Sequence, residues 1–181
     1  MTGSRSQSGM TLVELMIVIG VLGILAAIAI PSFRNTIPRM KLSNNTTLLA
    51  NEIATARMRA ISKGMRFCVI FHTRTDSDAA KRNSYDLKKE DAGGVCSASA
   101  GTQIAATHLY GTELVSATGF NAANTLVVDG TGTMNIALNT SAYLELQIPN
   151  GDYKRCILVA ANGRSRTGRW IEGGTPPCVE E

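Results

Sequence analysis

An α+β fold is predicted for this chain: one long N-terminal helix, its first half membrane-spanning, packed on an antiparallel β-sheet head. Three observations predict it. Residues 10–30 form an apolar run whose one formal charge is Glu14. Leu42, Thr46, Leu49, Ile53, Ala56 and Ala60 then recur at alternating steps of four and three, one face of a helix. Beyond Gly64 the pattern changes to short β-rich runs separated by turn residues. The 181 residues suffice for one domain with a real core, and 44 % hydrophobic with 18 % charged residues excludes a disordered or collagen-like chain. A formal net charge of +4 and a pI near 9.0 are mildly basic and do not by themselves imply nucleic acid.

The first half of the helix comes from Met10 to Ile30, 21 residues with one formal charge. At ~1.5 Å per residue it spans about 30 Å, the thickness of a bilayer core. Three readings fit. A secretory signal peptide would use Arg5 as its basic region and cleave at Ala27-Ile28-Ala29. A plain anchor would simply stay in the membrane. In the third reading the short leader, residues 1–9, is cut off in front of the apolar run. Glu14 separates them. An acid inside a membrane helix costs roughly 2.5–3.5 kcal/mol at the centre and less near an end. Signal peptides and plain anchors have no use for it. Cleavage between Gly9 and Met10 would create a positive amine on Met10, four positions before Glu14 and on the same helix face. In a bundle of such helices, Glu14 of one subunit meets the amine of its neighbour, and two costly charges become a pair.

These residues carry a resemblance. Gly9-Met10-Thr11-Leu12-Val13-Glu14-Leu15 resembles the prepilin peptidase site of type IV pilins and type II secretion pseudopilins. Met10 stands where phenylalanine is commonest, and the leader MTGSRSQSG has Arg5 as its single charged side chain. The match continues through Gly23 and Pro31. The resemblance implies that these two mark the part of the helix that loosens in the filament, in keeping with glycine and proline being the weakest helix formers.

The second half of the helix continues to Lys63. Arg57, Arg59 and Lys63 cluster near its end, where cations suit the helix dipole, and Gly64 is a natural cap. Pro38 is expected to kink it. The head, residues 64–181, opens with a strand over Arg66–Phe71, and Ser84–Lys88 is its expected partner. Thr125–Val128 meets Asp129-Gly130, a hairpin signal. Ala142, Leu144, Leu146 and Ile148 fall on one side of a strand, with Tyr143, Glu145 and Gln147 on the other. Asn150-Gly151 then turns into a strand from Tyr153 to Ala161. Residues 91–124, rich in Gly, Ala, Ser and Thr, give no clear pattern.

Cys68, Cys96, Cys156 and Cys178 all follow the apolar run, and none forms a CxxC pair, which argues against zinc or thioredoxin chemistry. An even count beyond an export segment reads as two disulfides. Of the three possible connectivities, the sequence-local pairs Cys68–Cys96 and Cys156–Cys178 are expected.

No catalytic motif, metal cluster or cofactor site is predicted. His72 and His108 read as isolated surface or loop residues, and Gly130-Thr131-Gly132 lacks the third glycine of a nucleotide loop. The candidate binding element is basic: Lys154, Arg155, Arg164, Arg166 and Arg169 lie within residues 154–169 with no acid among them, followed by Trp170, the sole tryptophan. Guanidinium groups pair with phosphates and aromatic rings stack on bases; a solvated strand face has the same composition. Two strict two-residue turns, at Asn150-Gly151 and Asn162-Gly163, would point Arg155, Arg164 and Arg166 at the core. Unpaired charges are not buried that way. A one-residue bulge at the first turn, or an early end to the strand, would expose them, and residues 162–169 are expected to form a projecting loop or irregular edge.

Val159-Ala160-Ala161-Asn162-Gly163-Arg164-Ser165-Arg166 resembles the C-terminal GRxR segment of the GspH/FimT family of minor pilins and pseudopilins. In FimT-like members this segment contributes to DNA binding during uptake, which carries over to Gly163, Arg164 and Arg166. The resemblance implies a structural subunit, not an enzyme, that is cleaved and methylated at its N-terminus. It would sit as a single-pass protein of the inner membrane with its head in the periplasm, then assemble at or near the tip of a periplasmic or extracellular filament. Its partners would be prepilin peptidase, the inner-membrane assembly platform, other minor pilins or pseudopilins, and the major pilin. A DNA-binding minor pilin for natural transformation is the alternative.

Overall fold

The computed structural model describes residues 10–120, 124–136, 141–151, 153–174 and 177–180, without the side chains of residues 29–32 and 35. One helix, α1, runs from Leu12 to Lys63. The chain divides into two compact units immediately before Pro38, the residue that removes a backbone donor from the helix. Helical backbone nevertheless continues through Gly23, Pro31 and Pro38. Beyond Lys63, Gly64 takes φ +61° and the Met65 N–H donates to the Ala60 carbonyl, the six-to-one bond of a Schellman cap.

In the second unit Leu42, Thr46, Leu49, Ile53, Ala56 and Ala60 are completely buried. The apolar side chains cover two antiparallel sheets, and Thr46 satisfies its hydroxyl on the Leu42 carbonyl. The first sheet has the order β3-β2-β1-β5, with β1 Phe67–His72, β2 Ser84–Lys89, β3 Thr102–His108 and β5 Thr125–Val128. The second has the order β4-β6-β7-β8-β9, with β4 Glu113–Thr118, β6 Ser141–Gln147, β7 Lys154–Ala160, β8 Ser165–Trp170 and β9 Cys178–Glu180. Phe67, Val69 and Phe71 from β1, and Ala142, Leu144, Leu146, Ile157 and Val159 from β6 and β7, join the helix residues in one core.

Several expectations need correcting. Strands β3 and β4 lie in the segment that gave no clear pattern; β3 is a mostly exposed edge, so its side chains need no apolar alternation. Strand β5 pairs with β1 instead of forming a two-stranded hairpin, and the chain after it folds back through the single bridge Val128↔Met134. The turn between is built on Asp129, whose carboxylate accepts from the backbone N–H and hydroxyl groups of both Thr131 and Thr133. His72 is neither surface nor loop. It is buried at the end of β1, with Nδ1 2.9 Å from Asp76 and Nε2 3.2 Å from Asp86. It ties the loop after β1 to the neighbouring strand, and its hydrogen bond is the main cause holding the Asp76 carboxyl below its usual range. The disulfides are Cys68–Cys96 and Cys156–Cys178, with Cα–Cα distances of 6.0 and 5.8 Å. The second links β7 to β9 across β8, where Gly168 has no side chain; a Cβ there would overlap the Val179 carbonyl.

The Asp129 turn yields a pH prediction. Hydrogen bonds from the Thr131 and then the Thr133 side chains hold the Asp129 carboxyl at about 2, against an ordinary 3.8. A depressed carboxylate stabilises the fold at every pH above its unfolded value and loses that contribution as pH falls through the folded one. Asp129 is half-buried, so solvent screening leaves on the order of 1 kcal/mol. Asp129→Ala should lower the unfolding midpoint of the full chain at neutral pH, and the difference from the parent should shrink between about pH 4 and pH 2. A gap independent of pH would assign the loss to packing of the turn.

Candidate functional site

Two regions hold the candidate residues. The first is the start of α1. Thr11 is its N-cap: the Thr11 hydroxyl accepts the Glu14 backbone N–H at 3.2 Å, and the Thr11 carbonyl accepts the Leu15 N–H, also at 3.2 Å. Glu14 is therefore the third helical residue, where a carboxylate favours the helix dipole. Sequence reasoning missed this cap, although Thr11-Leu12-Val13-Glu14 is the pattern of a capping box. Met10 stands immediately before the cap; Gly9 lies outside the described residues.

From Leu12 to Ile28 every large apolar side chain is exposed, by 43 % at Val18 up to 75 % at Leu12. Glu14 is the one polar residue among residues 12–28, so the helix is apolar on every other side. Among the described residues no helix is long and apolar enough to cross a membrane. Described side chains of the apolar run end at Ile28, after a helical rise of about 25 Å from Leu12, whereas the expected span reaches Ile30.

The second region is the basic stretch, which the fold divides in two. The Asn150-Gly151 turn keeps the strict register, Leu146 opposite Arg155 and Leu144 opposite Ile157, with no bulge. At the next connection Val159 pairs with Ser165 and Leu158 with Arg166, so three residues, Ala161 to Gly163, form the loop and the Ala160 N–H donates to the Arg164 carbonyl. The shift that exposes the arginines thus occurs at the second turn, not the first. Residues 165–169 belong to β8, not to a projecting loop: all five pair with β7, and Gly168 and Arg169 also pair with β9.

Arg164 and Arg166 share the outer, exposed face of this sheet. Arg166 is already ion-paired with Glu180. Arg169 and Arg155 oppose each other on the other face, Arg155 half-buried, which corrects the expectation that it is exposed. Lys154 is held between Glu172 at 2.6 Å and Glu145 at 3.1 Å, and Glu172 is the main cause raising its ammonium above the usual range. Lys154 therefore contributes its charge to those acids, not to a patch with Arg166. Gly163 has a structural reason to be glycine. It takes φ +84°, and a Cβ would overlap the Arg57 guanidinium. The same Arg57 donates from Nε to the Gly132 carbonyl at 3.1 Å, so one helix side chain seats two turns.

Comparison with known proteins now bears on both regions. Residues 4–30 match the prokaryotic N-terminal methylation motif. A fimbrial protein of Moraxella nonliquefaciens is 49 % identical over 56 residues, 29 % of this chain and 36 % of that protein. The type IV major fimbrial protein FimA of Dichelobacter nodosus is 60 % identical over 37 residues, 20 % of this chain and 24 % of that protein. The chain thus spans about a third or less of the length of these relatives. Among solved structures, the type IV minor pilin FimU of Pseudomonas aeruginosa matches with TM-score 0.50 and 17 % identity over 71 % of this chain and 88 % of that one. The minor pseudopilin EpsH of the Vibrio cholerae type 2 secretion system matches with the same score, identity and share of this chain, and 97 % of its own. Pilins and pseudopilins are structural subunits, not enzymes. The chain thus carries a prokaryotic N-terminal methylation motif at its start, and the part behind it has the fold seen in a minor pilin and a minor pseudopilin.

Proposed function

We propose that this chain is a minor pilin or pseudopilin, cleaved between Gly9 and Met10 by prepilin peptidase and anchored in the inner membrane through residues 10–30. From there, with its head in the periplasm, it is assembled by the inner-membrane platform at or near the tip of a type IV pilus or secretion pseudopilus, beside other minor subunits and the major one. The observation that carries this reading is the start of α1: an N-cap one residue after the cleavage position, followed by a helix apolar on every side. Lipid covers such a helix before assembly, and neighbouring helices cover it afterwards. The mature chain should begin at Met10 with a methylated amine by mass spectrometry. A start at Ile30 would make the segment a signal peptide and overturn the reading.

A second reading, DNA contact during uptake, is supported by Arg164 and Arg166 standing side by side on an exposed face. The Arg166–Glu180 pair counts against it, because that guanidinium must leave a carboxylate to meet a phosphate. If DNA binds here, it does so through phosphates, without strong sequence preference and with affinity falling steeply as salt rises. Changing both arginines to glutamine should then remove most binding to duplex DNA and leave unfolding nearly unchanged, since exposed charges contribute little to stability. A double variant that binds like the parent excludes this face.

A further inference from the structure

The turn after β3 shapes a small cleft on the head. In this turn, Leu109–Thr112, the Thr112 N–H donates to the Leu109 carbonyl at 3.1 Å and Gly111 takes φ +71°. Asn45 of α1 seats it: the side-chain amide donates to the Tyr110 carbonyl at 3.2 Å and to the Thr112 hydroxyl at 2.8 Å. Tyr110 is therefore 80 % exposed on a backbone that is held in place. Its ring centre lies 5.8 Å from that of His108. The two residues border a cleft of about 230 Å³ with Arg82, Asn83, Glu113 and Pro149. Asn83 stiffens the wall. It takes φ +56°, its carbonyl accepts the Leu109 N–H at 2.8 Å, and its Oδ1 accepts the Leu114 N–H at 3.1 Å.

The charged groups of the cleft keep capacity to spare. Arg82 donates from Nε to the Asp76 carbonyl at 2.8 Å, and its two terminal nitrogens have no partner among the described residues. Glu113 accepts from Arg74 at 3.3 Å and from Gln147 at 2.7 Å, both on Oε2, so Oε1 has no partner among them. We infer that this cleft binds one pyranose ring of an uncharged carbohydrate, its C–H face stacked on Tyr110 and its hydroxyls on Arg82 and Glu113. A hydroxyl both donates and accepts, so one kind of group serves the guanidinium and the carboxylate together. An anion would be repelled by Glu113 and a cation by Arg82. The volume admits a single small ring, not a drug-sized molecule, and an exposed tyrosine supplies a flat apolar face. A proline-rich peptide could stack there too, but its prolines offer carbonyl acceptors and no donor for Glu113.

The full chain, in micelles of a sugar-free polyoxyethylene detergent, would be titrated with the methyl glycosides of glucose, galactose, mannose and N-acetylglucosamine and followed by saturation-transfer NMR. Sorbitol, which has hydroxyls but no ring, and acetyl-triproline amide are the comparisons. Saturable binding of at least one glycoside is expected below about 100 mM, and at least about tenfold weaker binding of sorbitol and of the peptide. Tyr110→Ala should weaken glycoside binding about tenfold and Tyr110→Phe should keep it; Arg82→Gln should weaken it about tenfold. Tyr110 is exposed, so its variants should unfold at the parent's midpoint. The proposal is overturned by no saturable binding of any glycoside, by equal or tighter binding of sorbitol or of the peptide, by unaltered binding in Tyr110→Ala or Arg82→Gln, or by equal losses in Tyr110→Ala and Tyr110→Phe.

Discussion

Glu14→Ala and Glu14→Gln are both expected to leave the chain cleaved but absent from filaments. The start of α1 offers the carboxylate two roles, and the pair of variants separates them. As the third helical residue, Glu14 can support the N-cap through a capping box. Glutamine preserves that role, and the Thr11 hydroxyl bond to the Glu14 backbone N–H survives any side chain at that position. As the partner of a neighbour's Met10 amine, it must carry charge. Removing it leaves an uncompensated ammonium in a low-dielectric bundle, at a cost of about 3–5 kcal/mol, or more than a hundredfold in the docking equilibrium. The measurement is the amount of chain in sheared filaments relative to membranes, with the mature N-terminus checked by mass. If Glu14→Gln assembles as well as the parent, the carboxylate acts only as a cap and the charge-pair role is wrong.

Gly163→Ala is expected to destabilise the head by about 2–3 kcal/mol. Roughly 1–2 kcal/mol comes from placing a Cβ at a left-handed backbone position, and about 1 kcal/mol from displacing the Arg57 side chain from its bond to the Gly132 carbonyl. Arg57→Ala alone should cost about 1 kcal/mol through its lost bond to the Gly132 carbonyl. In the Arg57→Ala background Gly163→Ala should retain only the backbone part, about 1–2 kcal/mol. Unfolding of the full chain, followed by Trp170 fluorescence, measures the cycle. Equal costs of Gly163→Ala in both backgrounds would show that Arg57 is not what forbids a side chain. The prediction also bears on how the GRxR segment is read: the glycine is required to seat the turn, whatever the arginines bind.

Much of this was written locally in the chain. The buried helix face from Leu42 to Ala60, the Gly64 cap, the limits of β5 and the alternation of β6 depend on neighbours two, three or four residues apart, so their spacing is visible in the sequence. The proposed cleavage position and the role proposed for Glu14 are likewise read from residues adjacent in the chain. The helix start was equally legible in Thr11-Leu12-Val13-Glu14, and reading those residues for their charge alone missed the cap. Tertiary structure decided the rest. Which turn took the extra residue was not set by Asn150-Gly151 or Asn162-Gly163, which read alike. It accompanies Gly163 packing against Arg57, a contact between residues far apart in the chain. That one-residue shift turns Arg164 and Arg166 outward and sets Arg169 on the opposite face, beside Arg155. His72 reads as isolated because its partner on β2, Asp86, is brought to it by strand pairing. A run of five basic residues carries no record of which acids will sit beside each of them. Glu145, Glu172 and Glu180 arrive through sheet register, and at separations this short that register decides whether a cation is neutralised at home or left to face a partner.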